Sequence, residues 1–144
     1  MKSIKVPENF LRMIWIAFSI IFLKYCLKFE RFFMTIDIEK VNDICVAALK
    51  GRLDVITSAE LDGALDGLIS SGAKKILFDL RELDYISSAG LRSLLSAAKK
   101  LKSVDGRIAL SSLNANVAEV FKISGLSAFF DIYSSKDDAL AVLA

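Results

Sequence analysis

From Met34 to the end of the chain, short apolar runs alternate with longer segments in which apolar residues recur every three or four positions. The short runs suit β-strands and the longer segments suit α-helices. Two strands come first, TIDIEK (35–40) and DICVAALKG (43–51), joined by a turn at 41–43. Helices and strands then alternate, in the order β-β-α-β-α-β-α-β-α. This order predicts an α/β domain with a mixed, mostly parallel sheet, an N-terminal antiparallel hairpin and about four helices.

Local signals place the first two helices of this domain. TSAE (57–60) has the pattern of a capping box, with Thr57 as the N-cap and Glu60 reaching back, and predicts the start of the first helix there. KKILFDL (74–80) is an apolar run without alternation, as in a strand that is covered on both faces. We expect a loop at RELDYI (81–86), followed by a second helix that begins near Ser87 or Ser88.

The first 33 residues differ in composition from the rest. They hold six of the ten phenylalanines, the single tryptophan and the single proline. MIWIAFSIIFL (13–23) is uncharged over eleven residues, whereas a bilayer span needs roughly 20 apolar residues. Three interpretations remain open for residues 1–33: a membrane anchor, a helix packed on the domain or on a second copy, or an over-extended start of a protein that begins at Met34.

The charge of the chain is unevenly distributed. Residues 1–33 carry six basic and two acidic residues, whereas residues 34–144 carry 13 basic and 15 acidic residues. The domain is therefore mildly acidic, although the whole chain has a formal net charge of +2. A nucleic-acid-binding domain would need a basic surface, so we expect no nucleic-acid partner.

Residues that would support catalysis are missing from the sequence. The 144 residues include no histidine, so a serine nucleophile would lack its usual base. The chain also lacks the glycine-rich phosphate-binding motifs and the HExxH and CxxC motifs. Its two cysteines, Cys26 and Cys45, form neither a metal cluster nor a disulfide framework, and Cys45 suits a small buried residue. We predict a protein without catalytic activity, metal or cofactor.

DYISSAGLRSLL (84–95) places hydroxyl groups at the start of the second helix. A serine there can cap the exposed backbone N–H groups, which is typically worth ~1 kcal/mol. A helix N-terminus also favours the negative charge of a phosphate, so a serine there suits modification. We expect Gly90 to keep side-chain bulk off this corner, and a β-branched replacement to weaken partner binding more than it lowers stability.

Three stretches resemble the signatures of the STAS domain, which bacterial anti-sigma-factor antagonists typify. They are GRLDV (51–55), DYISSAGLRSLL (84–95) and EVFKISGL (119–126). The resemblance covers residues 34–144 and leaves residues 1–33 outside it as a hydrophobic, basic extension. It implies the STAS fold for residues 34–144.

The resemblance also implies a function. Family members bind an anti-sigma factor that is a serine/threonine kinase and so release the sigma factor. The kinase phosphorylates a serine in an Asp-Ser-[Ser/Thr]-Gly-Leu motif, and a PP2C-type phosphatase removes the phosphate. The resemblance therefore implies a cytoplasmic antagonist that touches a membrane only through residues 1–33. The alternative is a non-catalytic STAS subunit of a membrane transport or sensory signalling complex.

The family motif assigns roles to residues of this chain. Matching its glycine and leucine to Gly90 and Leu91 makes Ser88 the phosphate acceptor, with Ser87 as the alternative acceptor. Ser87 then stands where the family has an aspartate. The residues that the resemblance implies in partner binding are Asp54, Ser87, Ala89, Gly90 and Arg92.

Overall fold

The computed structural model describes the backbone of residues 8–29 and 34–144, and the side chains of residues 9–24 and 34–144. The chain divides into two compact units, Met1–Phe32 and Phe33–Ala144. The side chain of Cys26 and all of residues 1–7 and 30–33 lie outside the described ranges. Each unit is considered by itself.

The described part of the first unit is one helix, α1 (Glu8–Phe29). Eleven of its large apolar side chains are exposed, by 47% to 74%. They are Phe10, Leu11, Met13, Ile14, Trp15, Ile16, Phe18, Ile20, Ile21, Phe22 and Leu23. Within the described ranges, no helix combines the length and the hydropathy that crossing a bilayer requires.

The second unit is built on a five-stranded sheet in the order β1-β2-β3-β4-β5. The strands are β1 (Thr35–Val41), β2 (Ile44–Leu53), β3 (Lys75–Ile86), β4 (Arg107–Ser111) and β5 (Asp131–Tyr133). The helices are α2 (Val55–Ser70), α3 (Ser88–Ser103), α4 (Ala115–Ile123) and α5 (Lys136–Leu143), with a short 3-10 turn at Leu126–Ala128. β1 and β2 form an antiparallel hairpin and the remaining pairs are parallel, which confirms the predicted fold class.

Both faces of the sheet are covered by helices. On one face, buried side chains of α2, α3 and α4 pack against those of the strands, among them Leu61, Leu94, Phe121 and Phe78. On the other face, Ala139 and Leu143 of α5 pack against strand residues in a smaller cluster. Coverage on both faces explains why β3 begins as an unbroken apolar run. Cys45 is buried in the larger cluster, as predicted.

Two local predictions are wrong, and both concern the edge of the sheet where the carboxyl ends of β2 and β3 lie. The residues 81–86 are not a loop, because β3 continues through them and pairs with β2 as far as Leu53 and Ile86. The helix α2 does not begin at Thr57, because Asp54 is the N-cap and Val55 is the first helical residue. The extra length of both strands brings the starts of α2 and α3 to one edge of the sheet.

We predict that residues 34–144 fold without the preceding segment, because the strands, the helix caps and both apolar clusters lie within them. A fragment that begins at Met34 should unfold in one cooperative transition, at a denaturant concentration close to that of the full chain. A fragment without a cooperative transition would show that residues 1–33 belong to the core.

Candidate functional site

The site predicted from the sequence lies where α2 and α3 begin. These helices follow the adjacent parallel strands β2 and β3, so their N-termini meet at the same edge of the sheet. The backbone N–H of Ser87 donates to the carbonyl oxygen of Leu53 at 2.8 Å and ties the two helix starts together. We call the surface formed by residues 54–56, 88, 89 and 92 the helix-start corner.

Asp54 holds the first turn of α2. Its carboxylate accepts hydrogen bonds from the backbone N–H groups of Ile56 at 3.0 Å and Thr57 at 3.1 Å. In return, the Thr57 hydroxyl oxygen accepts from the Asp54 N–H at 2.8 Å, which completes a reciprocal capping box. The hydrogen bond from the Thr57 N–H is the largest cause that holds the pKa of Asp54 below its ordinary value. The Thr57 hydroxyl, the Ile56 N–H and the charge of Arg52 act in the same direction.

The two serines of the motif have different surroundings. Ser87 is half-buried and is the N-cap of α3, where its hydroxyl oxygen accepts from the backbone N–H of Gly90 at 3.2 Å. Ser88 is the first residue of α3 and is exposed. Within residues 34–144, no side-chain or backbone group pairs with the Ser88 hydroxyl. Ser87 therefore acts in capping, whereas Ser88 presents a free hydroxyl at a helix N-terminus.

Gly90 lies under the helix-start corner and not on its surface. It is buried, and a Cβ atom on it would lie 2.7 Å from Leu53 Cγ, 2.9 Å from the Leu53 carbonyl oxygen and 3.0 Å from Ile86 Cγ1. These distances are too short for any side chain, so glycine is needed for α3 to approach the ends of β2 and β3. The physical reason for Gly90 is therefore packing. Contrary to the expectation from the sequence that a replacement acts mainly on partner binding, we now expect it to act on stability first.

A shallow groove of about 290 Å³ runs between α2 and α3 at this corner. Val55, Ala89 and Arg92 are among the residues that line it. Beside the corner, the guanidinium of Arg52 stacks over the ring of Tyr85, with 4.1 Å between Cζ and the ring centroid. The structure thus places Asp54 at the start of α2 and Ser87, Ser88, Ala89 and Arg92 in the cap and first turns of α3, with Gly90 buried against β2 and β3.

Sequence reasoning missed two exposed apolar residues at this corner, Val55 and Ile56. A helix with Thr57 as its N-cap would leave both residues in the preceding loop, where the pattern does not mark them as part of a site. With Asp54 as the N-cap, they occupy the first turn of α2, and Val55 lines the same groove as Ala89 of α3. The missed signal was that Asp54 itself is followed three residues later by Thr57, which can complete a capping box.

The sequence pattern of the STAS domain matches residues 35–139. BtrV of Bordetella bronchiseptica, a proposed anti-sigma factor antagonist, is 36% identical over 108 residues, which cover 75% of this chain and 93% of BtrV.

Two solved structures have the same fold. A proposed anti-sigma factor antagonist from Thermotoga maritima matches with a TM-score of 0.72 and 22% identity, over 75% of this chain and 93% of that chain. The phosphorylated form of the Bacillus cell fate determinant SpoIIAA matches with a TM-score of 0.62 and 23% identity, over 76% of this chain and 100% of that chain.

The fold and the helix-start corner define an α/β module of the kind found in those structures, with a serine at the start of its second domain helix. The chain belongs to the STAS domain family. The resemblance drawn from the three sequence stretches is thereby confirmed.

We predict opposite effects of adding one methyl group at two glycines. Gly90→Ala should lower the free energy of unfolding by about 1–3 kcal/mol, because the new Cβ overpacks Leu53 and Ile86. Gly63→Ala is the control, since beyond its chain neighbours and the backbone of its own helix no described atom lies within 4 Å of a Cβ there, and it should raise stability by about 0.5–1 kcal/mol in mid-helix. Urea unfolding measures both variants. Equal stability of Gly90→Ala and the unchanged protein would contradict the close approach of α3 to β2.

Proposed function

We propose that the chain is an anti-sigma-factor antagonist that binds an anti-sigma factor serine/threonine kinase, releases the sigma factor and is switched by phosphorylation of Ser88. The observation that carries the proposal is the exposed Ser88 hydroxyl at the first position of α3, which has no hydrogen-bond partner among residues 34–144. The names of the relatives support it, since BtrV is a proposed antagonist of this type and a SpoIIAA structure is of a phosphorylated form. The action is binding without catalysis, in the cytoplasm where sigma factors act.

The phosphoryl transfer takes place in the kinase and uses only a hydroxyl from this chain. The Ser88 Oγ attacks the γ-phosphorus of ATP, the bond from that phosphorus to the bridging oxygen breaks, and ADP leaves. The hydroxyl proton passes to a base of the kinase. A PP2C-type phosphatase reverses the modification by hydrolysis of the phosphoserine. Ser87 does not compete as an acceptor, because its oxygen is half-buried and engaged in the cap.

The helix-start corner supports modification although Ser87 replaces the aspartate of the family motif. Aspartate and serine are both strong N-cap residues, so Ser87 retains the capping role without the charge. Asp54 performs the same role for α2. The backbone of the corner is therefore fixed before any phosphate is added, and Asp54 and Ala89 offer contacts to a partner around Ser88.

The phosphate should act on binding and leave the fold intact. It adds about −1.5 to −2 charges, and at a helix N-terminus such charge stabilises by about 0.3–1 kcal/mol. Covering the same dianion in an interface without a matched cation costs several kcal/mol. A loss of roughly 3 kcal/mol lowers affinity on the order of a hundredfold. Arg92, one turn along α3, would neutralise part of the phosphate and reduce this loss.

We predict that Ser88→Ala binds the anti-sigma factor with unchanged affinity and resists the kinase, whereas Ser88→Asp binds weakly. Both variants should unfold at nearly the same temperature as the unchanged protein. Mass spectrometry after incubation with the kinase identifies the modified residue, and calorimetry measures binding. Ser87→Ala is the matched control, since it should lose stability while Ser88 is still phosphorylated. Phosphate on Ser87 alone, or full binding by the phosphorylated protein, would exclude the switch.

A second candidate function is favoured by α1 alone. Its exposed apolar side chains suit a non-catalytic STAS subunit of a membrane transport or sensory complex. Trp15 is the single tryptophan of the chain, so its fluorescence reports directly on α1. A blue shift of this emission with phospholipid vesicles, together with sedimentation of the full chain but not of residues 34–144, would support this function. Unchanged emission would exclude it.

A further inference from the structure

Two apolar residues at the helix-start corner are unusually exposed. Val55 is 72% exposed and Ile56 is 76% exposed. Among the described large apolar side chains of residues 34–144, only Ile123 is more exposed, at 78%. Adjacent exposed aliphatic residues form the kind of small apolar patch that marks an interaction surface when polar groups surround it.

The fold gives no local reason for this apolar pair. The first turn of α2 is held by Asp54 and Thr57, and the helix is anchored in the core by Leu61 and Leu65. β-branched residues are also weaker helix formers than unbranched ones. Polar residues at positions 55 and 56 would therefore serve the fold at least as well.

The position of the pair connects it to Ser88. Val55 lines the groove between α2 and α3 together with Ala89, the residue that follows Ser88. The hydrogen bond from Ser87 to Leu53 fixes the start of α3 against the residue that precedes the Asp54 cap. The apolar pair and the Ser88 hydroxyl thus lie on one rigid corner, and a partner that covers one approaches the other.

We infer that Val55 and Ile56 form the apolar anchor through which this chain binds its anti-sigma factor, an inference that rests on the proposed function. The complementary face of the anti-sigma factor has an apolar recess for the two side chains. Arg92 lies on the rim of the same groove and forms no ion pair with any described residue, so it is available to a partner carboxylate beside the recess. This pairing of charge and apolar surface commits the corner to a protein partner.

The anchor explains how one phosphate controls the whole interface. The affinity comes from removing the apolar pair from water, and that requires close contact at the corner. A phosphate on Ser88 is strongly hydrated, and close contact would strip its water while Arg92 neutralises only part of its charge. Phosphorylation therefore blocks the contact from which the affinity arises, while α2 and α3 stay as they are.

The test uses the full chain, the purified anti-sigma factor kinase from the same genome, and calorimetry. Val55→Thr keeps the shape of the side chain and replaces one methyl group by a hydroxyl, and Ile56→Ser removes the aliphatic group. Each variant should bind about tenfold more weakly or worse, as expected for an interface hot spot. Ile123→Ser is the matched control, since Ile123 is equally exposed but lies at the end of α4. It should change the dissociation constant by less than about twofold, in line with exposed positions outside an interface.

The outcomes separate this inference from the proposed function. No binding by the unchanged chain would overturn the proposed function, whereas binding that Val55→Thr and Ile56→Ser leave intact would overturn only the anchor. Thermal unfolding of each variant keeps a folding defect apart from a binding defect. Ser88→Asp should also cost less additional affinity in the Ile56→Ser background than alone, because the two residues act at one interface. If the affinity losses of Ser88→Asp and Ile56→Ser were strictly additive, the two residues would act in separate contacts, which would contradict the anchor.

Discussion

The close approach of α3 to the end of β2 is the constraint on which the rest of the site depends. Gly90 has no room for a Cβ atom against Leu53 and Ile86, and the Ser87 N–H bonds to the Leu53 carbonyl oxygen. Packing and hydrogen bonding thus act at the same point. Because this point joins both helix starts, the position of Ser88 relative to α2 is fixed by the core and not by a flexible loop.

Capping and modification are divided between neighbouring residues. Ser87 uses its hydroxyl oxygen to hold α3, and the Ser88 hydroxyl has no hydrogen-bond partner among residues 34–144. On α2, Asp54 and Thr57 form the capping box, and the side chains of Val55 and Ile56 between them are exposed to solvent. At both helix starts, one residue stabilises the backbone and the next faces outward. Because of this division, Ser88 can be phosphorylated, and Val55 and Ile56 can be substituted, without a large effect on the fold.

The sequence predicted the architecture well because its strongest signals are repeated along the chain. Apolar strands, amphipathic helices and turns recur in one order, and an error at one boundary does not alter the topology. The boundaries at the carboxyl end of the sheet failed for a physical reason. Residues 81–86 include charged side chains and resemble a loop, yet Leu83 and Ile86 are buried through pairing with β2. Such long-range pairing leaves no local signal, so the burial of Gly90 against Leu53 and Ile86 could not be predicted from pattern alone. The start of α2 at Val55, in contrast, has a local signal in the spacing of Asp54 and Thr57.

The central claim is that phosphate changes what the helix-start corner binds while leaving its structure intact. Amide hydrogen exchange at Ser87, Gly90 and Thr57 tests this most directly, since these N–H groups make the bonds that hold the corner. In the Ser88-phosphorylated protein the three amides should be protected as well as in the unmodified protein, or slightly better at the start of α3. Loss of protection at Ser87 and Gly90 on phosphorylation would contradict the account, because the switch would then act by opening α3.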